Sequence, residues 1–131
     1  MSGKYMAYVG SYSYTGKAKG ITVFDVDVKN GTFRERCEME VDNSSYVIAS
    51  SDGKTLYSIA DEGVVSFRIL QNGSLARLNS APIRGMRGCH LCTDMEDKYV
   101  FVSGYHDGKT TVLSLNKDGS VGEIVDEVYH K

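Results

Sequence analysis

The sequence predicts an all-β chain built from a repeated unit of antiparallel strands. Three observations lead to this fold class: apolar and polar residues alternate with a period of two, glycine-containing turns separate the alternating segments, and one pattern recurs every 43 to 46 residues. The composition agrees, because 9 Tyr and 14 Gly among 131 residues favour strands joined by turns. We therefore expect strands along the whole chain and no long helix.

The alternation is clearest in residues 33–41, where Phe33, Cys37, Met39 and Val41 alternate with charged side chains. A helix is the competing interpretation, since Glu, Arg and Met are good helix formers. On a helix these apolar residues would not share one face, whereas a strand gathers them on one side. A strand is therefore favoured here, and the same alternation returns in residues 65–69.

A longer repeat appears when residues 20–26, 63–69 and 109–115 are aligned. The spacing is 43 residues from Phe24 to Phe67 and 46 residues from Phe67 to Leu113. Each segment is followed by a pair typical of a tight hairpin turn with positive φ; the three pairs are Asn30-Gly31, Asn72-Gly73 and Asp118-Gly119. Each segment is thus predicted to form a hairpin with the strand that follows it.

Two further strands are predicted upstream in each full repeat. One strand is expected at residues 6–10, 55–59 and 99–103, and a shorter one at residues 46–49 and 89–92. The unit then has four antiparallel strands in roughly 40–45 residues, which is the length of a propeller blade. The first repeat lacks its opening strand, because only four residues precede Tyr5. We expect one partial propeller domain over residues 1–131, with repeats at about 5–41, 42–83 and 84–131.

Several motifs carry a family resemblance. They are the opening segment Tyr-Val-Gly-Ser-Tyr at residues 8–12, the Ser-Asp-Gly-Lys turn before a Leu-Tyr strand at 51–57, and Gly-Cys-His-Leu at 88–91 followed by the Gly-Tyr strand end at 104–105. Together they resemble the lactonase family with a seven-bladed β-propeller fold, which includes propeller-type 6-phosphogluconolactonases and fungal carboxymuconate cyclases. One departure is Gly104, where members commonly carry asparagine or serine.

The resemblance implies the N-terminal blades of a lactone hydrolase that acts on a sugar-phosphate or similar anionic lactone, without a metal or other cofactor. Three blades would form an open arc with exposed edges, since closed propellers usually have 4–8 blades. We therefore expect a portion of a longer enzyme that is inactive alone. The alternatives are ring closure by self-association, a compact three-repeat fold, and a non-catalytic scaffold that binds protein partners.

Propeller ligands bind in or over the central channel, and four residues are candidates to line it. His90 and Arg87 lie at the opening of the third repeat, and Tyr105 and His106 lie after its second strand. Arginine and histidine could bind an anionic lactone through charge-assisted hydrogen bonds, and His90 could act as a base or as an oxyanion donor. Structural roles stay open as well: His90 as a strand-opening residue, Tyr105 in packing and His106 in a solvated turn. The sequence assigns no catalytic base.

Other functions are disfavoured by charge and composition. A formal net charge of −2 argues against a nucleic-acid partner, and no apolar stretch is long enough for a membrane helix. Three cysteines, with no apolar leader, predict reduced thiols in a cytoplasmic protein. Cys89 and Cys92 would point to opposite faces of a strand, so no metal site is expected.

Overall fold

The computed structural model describes residues 5–130, and across these residues the chain forms eleven β-strands and no helix. In chain order the strands are β1 (Tyr5–Gly10), β2 (Gly20–Asp27), β3 (Thr32–Glu40), β4 (Val47–Ala49), β5 (Thr55–Ile59), β6 (Gly63–Ile69), β7 (Leu75–Pro82), β8 (His90–Thr93), β9 (Tyr99–Gly104), β10 (Lys109–Leu115) and β11 (Val121–Tyr129).

The strands form three antiparallel sheets, each made from one continuous stretch of chain. The first sheet has the order β1-β2-β3, the second β4-β5-β6-β7 and the third β8-β9-β10-β11. Within each sheet, strands that are consecutive in the sequence therefore pair with each other, as in a propeller blade. The predicted all-β fold is confirmed, and within residues 5–130 the first sheet has three strands where the other two have four, as predicted.

The sheets pack face to face through two apolar clusters, because the period-two alternation gives each sheet apolar side chains that can meet a neighbour. Between the first and second sheets the buried members are Ile21, Val23, Val41, Leu56, Ala60, Val65, Phe67 and Leu75. Between the second and third sheets they are Tyr57, Ile59, Val64, Ala81, Ile83, Leu91, Val100, Val102, Leu113 and Val121. The second sheet is thus covered on both faces, and it contains the fully buried strand β5.

A hydrogen bond with the same geometry recurs at each of these two interfaces. The hydroxyl of Tyr8, on β1, donates to the backbone carbonyl of Gly73 at 2.7 Å. The hydroxyl of Tyr57, at the equivalent position of β5, donates to the carbonyl of Gly119, also at 2.7 Å. Each bond joins one sheet to the last hairpin turn of the next sheet. At the equivalent position of β9 the residue is Phe101, which has no hydroxyl.

The three hairpin turns have the predicted positive φ at the glycine of each pair, Gly31, Gly73 and Gly119. The preceding asparagine or aspartate has no positive φ. In the second turn the Gly73 amide donates to the Leu70 carbonyl, which gives a four-residue turn ending at a left-handed glycine. Asn72 uses its side chain instead, accepting the Ser74 amide at 3.0 Å.

Because neighbouring strands are antiparallel, successive loops alternate between two ends of the sheets. One end, called here the site end, carries the loops that precede β2, β4, β6, β8 and β10. These loops cover residues 11–19, 41–46, 60–62, 83–89 and 105–108. All three sheets contribute to this end, so residues far apart in sequence can meet there.

Candidate functional site

Two exposed rings lie side by side where the second and third sheets begin. His90 is the first residue of β8, and Tyr46 directly precedes β4. The two positions are equivalent in the repeat, because Val47 pairs with Ser58 as Leu91 pairs with Val102. The ring centroids are 4.8 Å apart and the ring planes are inclined by 51°. Both strands are edge strands of their sheets, so the edge at the site end presents a phenol beside an imidazole.

Arg87 lies three residues before His90 and is held by the other two sheets. Its Nη1 donates to Oδ1 of Asp61 at 2.8 Å, and Asp61 belongs to the loop between β5 and β6. Its guanidinium carbon lies 5.1 Å from the ring centroid of Tyr12, in the loop between β1 and β2. The Arg87 side chain retains 33% exposure. An anion approaching from solvent can therefore still reach it.

Asn43 connects the loops that hold Arg87. Its Oδ1 accepts the backbone amides of Ser13 and Tyr14, at 2.8 and 3.2 Å, and its own amide donates to the Ser13 hydroxyl at 3.0 Å. Its Nδ2 donates to both carboxylate oxygens of Asp61, at 3.1 and 3.0 Å. The backbone of Asn43 has φ 55°, a left-handed conformation that asparagine tolerates better than most residues.

The loop before β8 is also fixed by the loop before β10. Oδ2 of Asp107 accepts the Met86 amide at 3.0 Å, and this hydrogen bond lowers the pKa of the Asp107 carboxyl below its ordinary value. Gly85, at φ 115°, passes close to the same carboxylate, since a Cβ added there would lie 2.6 Å from Oδ2. Any other residue at position 85 would be strained at this positive φ and would displace the carboxylate that accepts the Met86 amide.

A partly buried ion pair anchors the start of β10. Nζ of Lys109 lies 3.0 Å from Oε2 of Glu127, and Arg84 Nη2 lies 3.4 Å from the other oxygen, Oε1. The Lys109 side chain is only 4% exposed, whereas that of Arg84 is 74% exposed. Glu127 thus joins β10 and β11 to the segment before β8.

The structure divides the four residues that the sequence suggested. Arg87 contacts Asp61 and Tyr12, and His90 contacts Tyr46. Tyr105 and His106 lie in the loop between β9 and β10 at the same end, both exposed, with their rings stacked on each other at 4.2 Å.

Sequence reasoning missed four residues of this site: Tyr12, Asn43, Tyr46 and Asp61. For Tyr46 a signal existed, because it precedes His90 by one repeat length of 44 residues. The same spacing relates Asn43 to Arg87 and Asp61 to Tyr105, whereas Tyr12 lies in a loop of the incomplete first repeat.

Three concavities on the described part of the chain lie away from the predicted residues. One of about 380 Å³ lies between the end of β3 and strands β6 and β7, and Asp61 lines it. A second, of about 430 Å³, lies on the first sheet. The third, of about 750 Å³, lies at the opposite end, between residues 50–57 and residues 95–98 and 115–119. None of the three is lined by His90, Arg87, Tyr105 or His106.

The cysteines and the acidic residues show no metal centre within residues 5–130. Cys37, Cys89 and Cys92 are free thiols, and Cys89 is exposed at the site end. No group of three or more His, Cys, Asp or Glu side chains in this range is arranged to hold a metal ion. The same range contains no helix able to cross a membrane.

Comparison with known proteins gives consistent matches. The family model described as lactonase with a seven-bladed β-propeller matches residues 6–131. The 6-phosphogluconolactonase of Bacillus subtilis is 33% identical over 133 residues, which cover 97% of this chain and 38% of that protein. A Bacteroides fragilis crystal structure assigned as a 6-phosphogluconolactonase aligns with a TM-score of 0.90 at 29% identity, over 99% of this chain and 37% of the other.

A third match shows the fold alone. The periplasmic gluconolactonase of Pseudomonas aeruginosa aligns with a TM-score of 0.86 at 22% identity, covering 97% of this chain and 39% of the other. The chain thus spans well under half the length of the proteins it matches. With its family model matched from residue 6 to residue 131, the chain belongs to the lactonase family with a seven-bladed β-propeller fold.

Proposed function

We propose that this chain supplies three blades to a lactone hydrolase whose substrate is an anionic lactone such as 6-phosphogluconolactone. The observation that supports this most is the 33% identity to the Bacillus subtilis 6-phosphogluconolactonase over 97% of the chain. The placement of Arg87 at the site end is compatible with it, since a guanidinium suits a phosphate or carboxylate group.

The chemistry needs water to attack the lactone carbonyl carbon while a base takes the proton. The ring C–O bond then breaks, its oxygen is protonated, and a hydroxy acid is released. His90 is the candidate for the base, or for the donor to the developing oxyanion, because its imidazole is exposed beside the Tyr46 ring. The Arg87 guanidinium has five N–H groups, and one on Nη1 donates to Asp61. The others remain available to donate to the anionic group.

Tyr105 and His106 remain candidate pocket residues in this proposal. Their loop lies at the site end, and Asp107 in the same loop accepts the amide next to Arg87. We expect Tyr105→Ala, in an active chimera with the Bacillus subtilis enzyme, to raise KM for the lactone, and an unchanged KM would remove Tyr105 from the pocket.

A chimera tests the proposed activity. This chain replaces the matching segment of the Bacillus subtilis enzyme, and hydrolysis of 6-phosphogluconolactone is measured against the spontaneous rate. We expect a folded, active chimera, and about a hundredfold lower kcat/KM for its His90→Ala variant, the usual scale for loss of a general acid–base. Lys117→Ala, at the opposite end, is the matched control.

The activity of the chimera and the effect of His90→Ala test different claims. A folded chimera that hydrolyses the lactone no faster than water would refute the proposed function. An active chimera in which His90→Ala keeps the full rate would remove His90 from the mechanism. The 131-residue chain alone is expected to be inactive, because the channel of a propeller takes residues from many blades.

We also propose that residues 1–131 form a single partial propeller domain that can self-associate through its open edges. Strand β1 ends the first sheet, and Tyr5 and Val9 on it are 57% and 41% exposed. Light scattering of the 131-residue chain should show a dimer or larger species at micromolar concentration. A strictly monomeric folded chain would contradict this.

A cytoplasmic location is the remaining proposal. It is supported by the three free thiols, one of which is exposed, since a reducing compartment keeps such groups unoxidised. Cell fractionation of the native host tests it, with recovery in the periplasmic fraction as the contrary result.

A further inference from the structure

Asn43 makes more cross-loop contacts than its place between two strands requires. It joins the loop of the first sheet, through Ser13 and Tyr14, to the carboxylate of Asp61 on the second sheet. Asp61 in turn holds Arg87, which leads into the third sheet. One asparagine thus connects all three sheets at the site end, through hydrogen bonds between 2.8 and 3.2 Å long.

The two amide donors of Asn43 determine how Asp61 can face Arg87. Nδ2 contacts both carboxylate oxygens, and Oδ1 of the carboxylate is also the atom that accepts Arg87 Nη1. Without the amide, the Asp61 side chain could rotate, because its loop is exposed and its side chain is 46% accessible. The orientation of the guanidinium therefore depends on a residue that does not touch it.

The Tyr12 ring contributes a second restraint on the same guanidinium. Its centroid is 5.1 Å from the Arg87 carbon, within the range of a cation–π contact. The loop that carries Tyr12 is the loop whose amides Asn43 accepts. Asn43 thus acts on Arg87 from two sides, through the carboxylate and through the ring.

We propose that Asn43 is a positioning residue for Arg87, which it orients through Asp61 and the Tyr12 loop so that the guanidinium can bind the anionic group of the lactone. This inference rests on the proposed function, since it assumes that Arg87 binds that group. It assigns no contact between Asn43 and substrate.

The test uses the chimera with the Bacillus subtilis enzyme, in which the other blades complete the channel, and 6-phosphogluconate, the anionic hydrolysis product, as the probe. Binding is followed by the NMR signal of the Arg87 side-chain Nε–H, which is identified by its loss in Arg87→Lys. Asn43→Asp keeps an oxygen for the Ser13 and Tyr14 amides and tolerates the positive φ, but it opposes Asp61 with a second carboxylate. We expect affinity to fall by about tenfold, the effect of one lost charge-assisted hydrogen bond.

Two further variants control for charge and for folding. Asn72→Asp makes the same chemical change in the turn between β6 and β7, at the end of the sheets opposite the site end. It should leave binding unchanged. The double variant Asn43→Asp with Asp61→Asn restores an amide–carboxylate pair in reverse order. It should recover part of the lost affinity, which a general loss of structure would not allow.

The outcomes separate the two proposals. If the unmodified chimera does not shift its Arg87 signal with 6-phosphogluconate, the anion-binding role of Arg87 fails, and this inference fails with it, whereas the proposed hydrolysis is judged separately by the rate of the same chimera. If the chimera binds the probe but Asn43→Asp binds as tightly as Asn72→Asp, Asn43 is not a positioning residue. Binding that is lost in Asn43→Asp and equally lost in the double variant would also overturn it.

Discussion

The hydroxyl of Tyr57 donates a hydrogen bond to the carbonyl of Gly119, across the interface between the second and third sheets. Tyr8 makes the same bond to Gly73 across the interface between the first and second sheets. In each case the donor lies on the first or second strand of its sheet and the acceptor lies in the last hairpin turn of the next. The bond therefore fixes how far one sheet is displaced along its neighbour, which apolar packing alone specifies weakly.

Replacing Tyr57 with phenylalanine should lower the free energy of unfolding by about 1–2 kcal/mol, because the change removes one hydrogen bond and leaves the Gly119 carbonyl without its donor. Tyr57 is 1% exposed, so water cannot easily replace the hydroxyl. Urea denaturation measures the loss. Tyr14→Phe, at a residue that is 78% exposed, is the control and should have no measurable effect.

The same tyrosine makes stability sensitive to alkaline pH. Burial raises the pKa of Tyr57 to about 12, from an ordinary value near 10. As the pH rises, the Tyr57 hydroxyl ionises in the unfolded chain before it ionises in the folded chain. The stability that the neutral buried hydroxyl contributes is therefore complete below about pH 10 and is lost as the pH rises towards 12. The loss is at most about 3 kcal/mol. The stability difference between the unmodified chain and Tyr57→Phe should therefore shrink over this range, and a constant difference would contradict the shift.

Gly119 should tolerate alanine less well than Gly31 does. Both have positive φ, 91° and 69°, so alanine costs about 1–2 kcal/mol of backbone strain at either position. A Cβ at Gly119 would also collide with Thr55 of the second sheet, whereas at Gly31 nothing lies within 4 Å. We expect Gly119→Ala to cost about 2 kcal/mol more than Gly31→Ala in the same denaturation measurement, on the scale of overpacking a well-filled site. Equal costs would mean that the turn can move away from Thr55.

Asp107 should control the order of the segment that carries Arg87. Asp107→Ala removes the acceptor of the Met86 amide, and we expect faster hydrogen exchange at Met86. Because the pKa of Asp107 is lowered by that hydrogen bond, the restraint is complete above about pH 4 and is lost as the pH falls through the lowered value. The amide shift of Met86 should titrate accordingly. Asp42→Ala, at an exposed carboxylate of the same end, should leave Met86 exchange unchanged.

Much of the fold could be predicted from the sequence, because the signal is local and repeated. The aligned positions Phe24, Phe67 and Leu113 lie on β2, β6 and β10, which are equivalent strands of the three sheets. The glycines of the hairpin turns have the predicted positive φ. The length of those turns was not predictable, since Asn72 and Asp118 hydrogen-bond through their side chains instead of adopting a left-handed backbone.

The site was less accessible to prediction. His90 and Arg87 were identified because a motif surrounds them, but Asn43 and Asp61 lie 18 residues apart in different loops. Their contact depends on the stacking of two sheets and on a left-handed backbone at Asn43. Neither property leaves a pattern in a single sequence. The repeat could have disclosed only equivalent positions, because Asn43, Tyr46 and Asp61 each precede a predicted residue, Arg87, His90 and Tyr105, by 44 residues.

Phe101 stands where the next hydrogen-bonding tyrosine would be, on the face of the third sheet that points away from the second. A sheet that packs against this face contacts the Phe101 ring, which has no hydrogen-bond donor. The position of that sheet along the strands would therefore depend on shape and on the polar side chains of Ser103, Thr110 and His130. Thr110 Oγ1 lies 3.2 Å from Ser103 Oγ and 2.9 Å from His130 Nε2. The face of the third sheet that carries Phe101 can consequently pack against sheets with different hairpin-turn geometries. Each of the first two interfaces instead needs a turn that places a glycine carbonyl at the tyrosine hydroxyl.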